Sequence, residues 1–230
     1  MARRGIVSML LVLGACTGAA SDVAVGPTAT STTSTTVPTT TTTAPPPVRT
    51  VADSGWTPFA VAGGLTLVHP AARVERIGLH ESNHDGARVL EPAPTAVQAV
   101  TMEARDRGNG ARTAADVVVD PTAEIRAPVS GRVKRAGTYV LYCEHSDDYV
   151  VIAPDANPAW EVKVLHIDGV QVRPGARVVA GQSVLAPRAT QLPFESQVDE
   201  LRTVDPAWPH VHIEVVDPSI KDRPNPNSGC

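Results

Sequence analysis

From about Val51 onward the chain shows almost no apolar stripe of helical period. Short aliphatic and β-branched runs recur instead, cut at close intervals by Pro, Gly, Asp or Asn. The runs are Leu65–Val68, Val74–Leu79, Asp116–Val119, Arg132–Lys134, Tyr139–Cys143, Tyr149–Ile152, Glu161–Ile167, Ser183–Leu185 and His210–Val216. Such runs are too short for helices, and the residues between them are the ones tight turns require. The pattern predicts a mostly β domain, a sheet sandwich or barrel. Only Ala96–Arg105 reads as a short helix. Aromatic residues make up 3% of the chain, so Val, Ile, Leu and Ala must fill the core.

The N-terminal part cannot join that core. Arg3 and Arg4 precede a short apolar run, Ile6 to Leu13, well below the ~20 apolar residues a spanning helix needs. It ends in Leu13-Gly14-Ala15-Cys16, which resembles the lipobox of bacterial lipoproteins. The resemblance implies a signal peptide over residues 1–15, a lipid on Cys16, and a domain held at the extracytoplasmic face of the cell membrane. Residues 16–50 continue with a Thr- and Ser-rich tract and Pro45-Pro46-Pro47. That composition buries too little apolar surface to offset its ordering entropy, so a flexible stalk is expected. The formal net charge of −4 argues against nucleic acid as a partner. After processing two cysteines remain, Cys143 and Cys230, and their pairing is left open.

The sharpest chemical signal is Pro209-His210-Val211-His212-Ile213-Glu214. Residues i and i+2 of a strand project to one face, so His210 and His212 enter one site. Upstream, in order, lie Asp116, the turn Pro128-Val129-Ser130-Gly131-Arg132-Val133, and Val164-Leu165-His166-Ile167. The hairpin Val172-Arg173-Pro174-Gly175-Ala176-Arg177-Val178-Val179-Ala180-Gly181-Gln182 follows. The ordered series, over roughly Arg112 to Val216, resembles the lysostaphin/LytM family of zinc endopeptidases that cut peptidoglycan. The resemblance implies a barrel-like β-sandwich with extra N-terminal strands and one short helix. It divides the chain into an N-terminal extension over 51–110, a LytM-like peptidase domain over 111–217 and a tail over 218–230. It implies Asp116 and His212 as zinc ligands, and His166 and His210 as catalytic histidines.

One departure matters. The family's first ligand is a histidine four residues before the aspartate, and Arg112 stands there. Arginine stays protonated and cannot ligate a metal. A unit charge ~4 Å from a divalent ion, at an effective dielectric of ~20, costs roughly 8 kcal/mol. That rivals the ~10–16 kcal/mol by which structural zinc binds peptides. The expectation is therefore a degenerate site, with Arg112 paired to Asp116 or else lying on the surface, and with zinc binding in doubt.

A second zinc signature competes. His80-Glu81-Ser82-Asn83-His84 is a literal HExxH, which on a helix places two histidines together with a glutamate base. Glu103 would supply a third ligand. Ser82-Asn83 and Asp85-Gly86 are poor helix material, so His80 and His84 are expected to close a strand and enter a loop. Three readings follow: a degenerate relative that binds cell-wall peptide or regulates a hydrolase; a working zinc endopeptidase whose missing ligand comes from His80 or His84; and an envelope module without a cell-wall role. The Pro174-Gly175 hairpin also looks like a lipoyl-type turn, but without the lysine that would carry the cofactor.

Overall fold

A computed structural model describes residues 47–223. The described residues belong to one compact unit, which begins at Pro45. The segment expected as a signal peptide, Cys16, most of the expected stalk and Cys230 lie outside the described residues. Among the described residues no helix is long and apolar enough to cross a membrane.

The elements are β1 (Ala52–Asp53), β2 (Pro58–Ala62), β3 (Leu65–Val68), β4 (Arg73–His80) and β5 (Glu91–Pro92). They continue as β6 (Gln98–Thr101), β7 (Ala114–Val119), β8 (Ile125–Arg126), β9 (Gly131–Leu141) and β10 (His145–Pro154). Last come β11 (Glu161–Asp168), β12 (Arg177–Val178), β13 (Val184–Ala186), β14 (Arg188–Ala189), a 3₁₀ turn over Gln197–Leu201, and β15 (His210–Val216). A ten-stranded sheet runs in the order β1-β4-β7-β15-β11-β10-β9-β12, with β6 added beside β4 and β14 beside β11. β13 pairs with β8, and β3-β2-β5 form a small third sheet. All the pairings are antiparallel except β4 with β6. The molecule is mostly β, as its turn-punctuated sequence predicts.

The central strands alternate over the stretches that carry the site, past a register shift between Val74 and Arg76 in β4. Ile77 and Leu79 of β4, Ala115, Val117 and Val119 of β7, and Val211, Ile213 and Val215 of β15 are buried in one aliphatic core. The alternate residues, among them His80, Asp116, His210 and His212, fall on the opposite face because the side-chain period of a strand is two. That second face is covered in part by Met102, Val198 and Trp208 packed around Val118. Gly78 is needed beneath this cover: a Cβ there would lie 2.9 Å from Met102 and Val198 side-chain atoms. Gly131 serves the turn before β9, where a Cβ would meet the Ala153 carbonyl oxygen at 2.2 Å.

Two sequence expectations give way. Ala96–Arg105 is not a helix; its centre, Gln98–Thr101, is β6, held parallel to Arg76–Leu79. Val97, Val100 and Thr101 are β-branched, and an open edge of β4 supplies the ladder an isolated ten-residue helix would lack. The run Tyr139–Cys143 ends as a strand at Leu141. Tyr142 and Cys143 both take positive φ (51° and 62°) in the turn that Glu144 closes by donating to the Leu141 carbonyl at 3.2 Å. Three residues, Tyr142 to Glu144, join β9 to β10, and the two consecutive left-handed residues follow the right-handed twist of the flanking strands. Cys143 is disulfide-bonded.

Candidate metal centre

Three neighbouring strands place one side chain each. His212 on β15 lies directly opposite Asp116 on β7, and on the other side of β7 Gly78 faces Asp116. His80 is two residues beyond Gly78, at the end of β4, so it shares the face of Asp116. The result is a cluster of His80, Asp116 and His212 whose ligating atoms all lie within 4.8 Å of one another.

The hydrogen bonds fix how the donors point. His80 Nδ1 lies 3.0 Å from the Glu81 carbonyl oxygen, which can only accept, so Nδ1 carries the proton and Nε2 of the neutral ring is a lone pair. That Nε2 is buried and has no hydrogen-bond partner. It lies 3.1 Å from Asp116 Oδ1, but out of line for a hydrogen bond. His212 Nδ1 approaches the same Oδ1 at 2.8 Å. Two acceptors facing each other in a buried pocket repel unless a cation or a proton lies between them. Behind the cluster, His212 Nε2 is 3.9 Å from Glu214, which Lys163 holds at 2.8 Å and to which the Ser82 hydroxyl donates.

The electrostatics follow from this crowding. Burial alone would raise the Asp116 carboxyl, yet the neighbouring rings of His210 and His80 and the His212 hydrogen bond hold it well below the usual range. Burial depresses His212, but its bonds to Asp116 and Glu214 outweigh that and lift it to about 9. His210 moves the other way: burial brings it down to about 4 against the pull of Asp116, with His166 adding to the drop. Its Nε2 sits 3.9 Å from Asp116 Oδ2.

His166 completes the group, its ring 5.1 Å from that of His210 and 5.9 Å from that of His212. It reaches this face through a bulge. The register of β11 against β10 slips between Asp148↔Ile167 and Tyr149↔Leu165, which leaves His166 as the extra residue, with φ of 61°. Plain alternation from Val162 and Val164 would send His166 into the core; the bulge turns it to the site and gives the core place to Ile167. A non-glycine residue in the left-handed region is uncommon and persists where its surroundings enforce it. Here Asp147 does so, accepting from the His166 backbone N–H at 3.2 Å and its Nδ1 at 2.7 Å, and from the Tyr139 hydroxyl at 2.7 Å. Asp147 and Tyr139 were not singled out by the sequence, because their role depends on the bulge.

Arg112 is elsewhere. It precedes β7 in a loop, its side chain is 37% exposed, and it reaches Glu91 at 3.3 Å rather than Asp116. The four-residue spacing of the family motif does not carry over, because the strand begins only at Ala114; His80 takes the place beside Asp116 from the neighbouring strand. The HExxH segment forms no helix either. His80 ends β4, Glu81 accepts the backbone N–H groups of Arg105 and Arg107, and His84 turns to Asp222 at 4.0 Å. Glu103 is exposed and contributes only its carbonyl, to Gln197. The N-terminal extension over 51–110 supplies β4, and with it His80, to the sheet that carries the site.

His80, Asp116, His166, His210 and His212 line one cleft of about 410 Å³, whose far wall includes Tyr142 and Phe194. No protein-family model matches the chain, and no curated protein matches it. Among solved structures, a zinc-containing peptidase from Vibrio cholerae is similar at 20% identity, with a TM-score of 0.33. The match covers 51% of this chain and 31% of that one, so this chain spans about a third of that protein's length. A likeness of that size leaves the site to be judged on its own geometry.

Proposed function

We propose that this domain is a zinc-dependent peptidase of the lysostaphin/LytM type, acting on cell-wall peptide from the outer face of a bacterial membrane to which lipidated Cys16 anchors it. The observation that carries the reading is the His80 Nε2 lone pair, buried without a partner and facing Asp116 and His212. It favours a working site over a degenerate one. Two imidazoles and a carboxylate are a fitting donor set for a catalytic zinc, which keeps an open position. His80 Nε2, an Asp116 oxygen and His212 Nδ1 would hold the ion. Glu214 and the Glu81 carbonyl would fix the two rings from behind, as outer partners of metal-bound histidines do. When bound, zinc supplies Lewis acidity: it lowers the proton affinity of water and polarises a carbonyl oxygen.

The chain's own groups divide the remaining work. His210, kept neutral by burial, accepts a proton from the attacking water. His166 is aimed by Asp147, which accepts a hydrogen bond from its Nδ1; as the doubly protonated ring that this carboxylate favours, it offers Nε2–H to the charge that develops on the carbonyl oxygen. Tyr139 holds Asp147 in turn. The cell-wall substrate class is supported by the ordered motif series from Asp116 to His212 and by the lipobox-like start with its Thr-rich stalk.

The test is metal content, then cleavage. The full chain, equilibrated with zinc and desalted, should keep about one ion per molecule and cut cross-linked muropeptides. His80→Ala should keep none and cut nothing. Wild-type protein that keeps zinc without cutting would remove the peptidase reading and leave the metal site standing. Wild-type protein that keeps no zinc would remove both.

A further inference from the structure

Two cations stand in the cleft wall without a carboxylate partner. Arg105 and Arg107, from the loop between β6 and β7, line the same cleft as the histidines. Many other arginines are matched to acids, such as Arg49 with Glu75, Arg73 with Asp120, Arg177 with Asp155 and Arg188 with Asp168; Arg88 and Arg132 are not, but they lie on Trp160 and the Gly175 carbonyl, away from the cleft. Among the described residues Arg105 and Arg107 have no acidic side chain within ion-pairing distance. Arg107 donates only to the Glu81 carbonyl, at 2.7 Å.

The loop is built to present them. The Glu81 carboxylate, 6% exposed, accepts the backbone N–H groups of Arg105 and Arg107 on one oxygen, at 2.7 and 3.2 Å. Asp106 between them sits at φ 56°, which turns both N–H groups to that oxygen. Asn109 closes the loop base on the Ser82 carbonyl at 3.0 Å. Glu81 is thus taken up by main-chain donors beneath the loop. The other acid near the rim, Glu195, is held by Arg202 at 2.8 Å. Burial, and then the charge of Arg105, disfavours the Arg107 cation, against the opposing charges of Glu81 and Asp116; a ligand carboxylate would add to that opposing pull.

We propose that Arg105 and Arg107 form a carboxylate subsite, so that the cleft selects peptides carrying a free carboxylate near the bond to be cut over their amidated counterparts. A planar guanidinium pairs with a carboxylate through two parallel hydrogen bonds, whereas a carboxamide offers one acceptor and no charge. The inference rests on the peptidase reading for its kinetics, but not for its binding.

The probes are cross-linked muropeptide dimers with free carboxylates and the same dimers amidated with carbodiimide and ammonia. The zinc-loaded full chain should prefer the free acid by about tenfold in kcat/KM, or ~1.4 kcal/mol, carried by KM. R105Q/R107Q should cut both alike with unchanged zinc content, and R105K/R107K should recover part of the preference. Equal cleavage of both probes by the wild type overturns the subsite. If neither is cut, equilibrium dialysis decides with chelator-stripped, re-dialysed protein, in which no metal can hold the carboxylate. Preferential binding of the free acid, lost in R105Q/R107Q, keeps the subsite while the peptidase reading falls; equal binding removes the subsite as well.

Discussion

The two faces of the central strands differ in everything except their backbone. On one face Leu79, Val117 and Ile213 meet in a dry aliphatic layer. On the other, one residue along each strand, stand His80, Asp116 and His212. The first face gains stability from every buried methyl group. The second collects buried polar groups that the folded chain alone does not fully satisfy, down to an unpartnered ring nitrogen. A strand residue costs the same to order whichever face it serves, so the core face must stabilise enough to hold the site face in a strained arrangement.

The contrast can be broken at a single pair of neighbours. Ile213→Ala deletes buried methyl groups from the core and should cost about 2–5 kcal/mol of folding stability, read as a lower denaturant midpoint. Zinc affinity of the fraction that remains folded should not change. His212→Ala, next in sequence, should abolish zinc retention, which Ile213→Ala leaves intact. Loss of zinc retention in folded Ile213→Ala, or its survival in His212→Ala, would deny that the faces divide their labour.

A second test compares two histidines. His69 is fully buried against Phe59, outside the site, with Nε2 2.8 Å from Thr95 Oγ1. Burial lowers it from 6.5 to about 4. Between those values the unfolded chain binds a proton that the native chain refuses, so stability falls as pH drops from 6.5 towards 4. The loss from this one group reaches ~3 kcal/mol. His210, on the site face, adds a loss of the same sign in the metal-free protein. His69→Gln should flatten the stability curve over that window and leave zinc retention at neutral pH intact. An unchanged slope would mean that His69 titrates normally.

What could be read from the sequence follows the range of the interactions. β15 matches the expected run His210–Val216 residue for residue, because alternation and the HxH spacing are local. Asp116 lies within a run whose apolar neighbours mark a strand. The pairing of β4 with β7 is not local: the poor helix formers after His80 say that it closes a strand, but nothing near it says that it will lie beside Asp116. The bulge at His166 has no glycine to announce it, and β6 is a strand only because an edge was open beside β4.

Arg112 offers the smallest expected effect and the sharpest check on that pairing. Were it the family's ligand position, Arg112→His would complete a histidine pair with His212 and tighten zinc binding, and Arg112→Ala would relieve a repulsion of several kcal/mol. With Arg112 directed at Glu91 across a partly exposed loop, both substitutions should shift stability by no more than ~0.5 kcal/mol, the usual scale of an exposed ion pair. Zinc affinity measured by calorimetry should be unchanged in both. A gain in affinity from Arg112→His would place the ligand position on the loop, move His80 out of the metal's first shell, and return the site to the four-residue spacing of the lysostaphin motif.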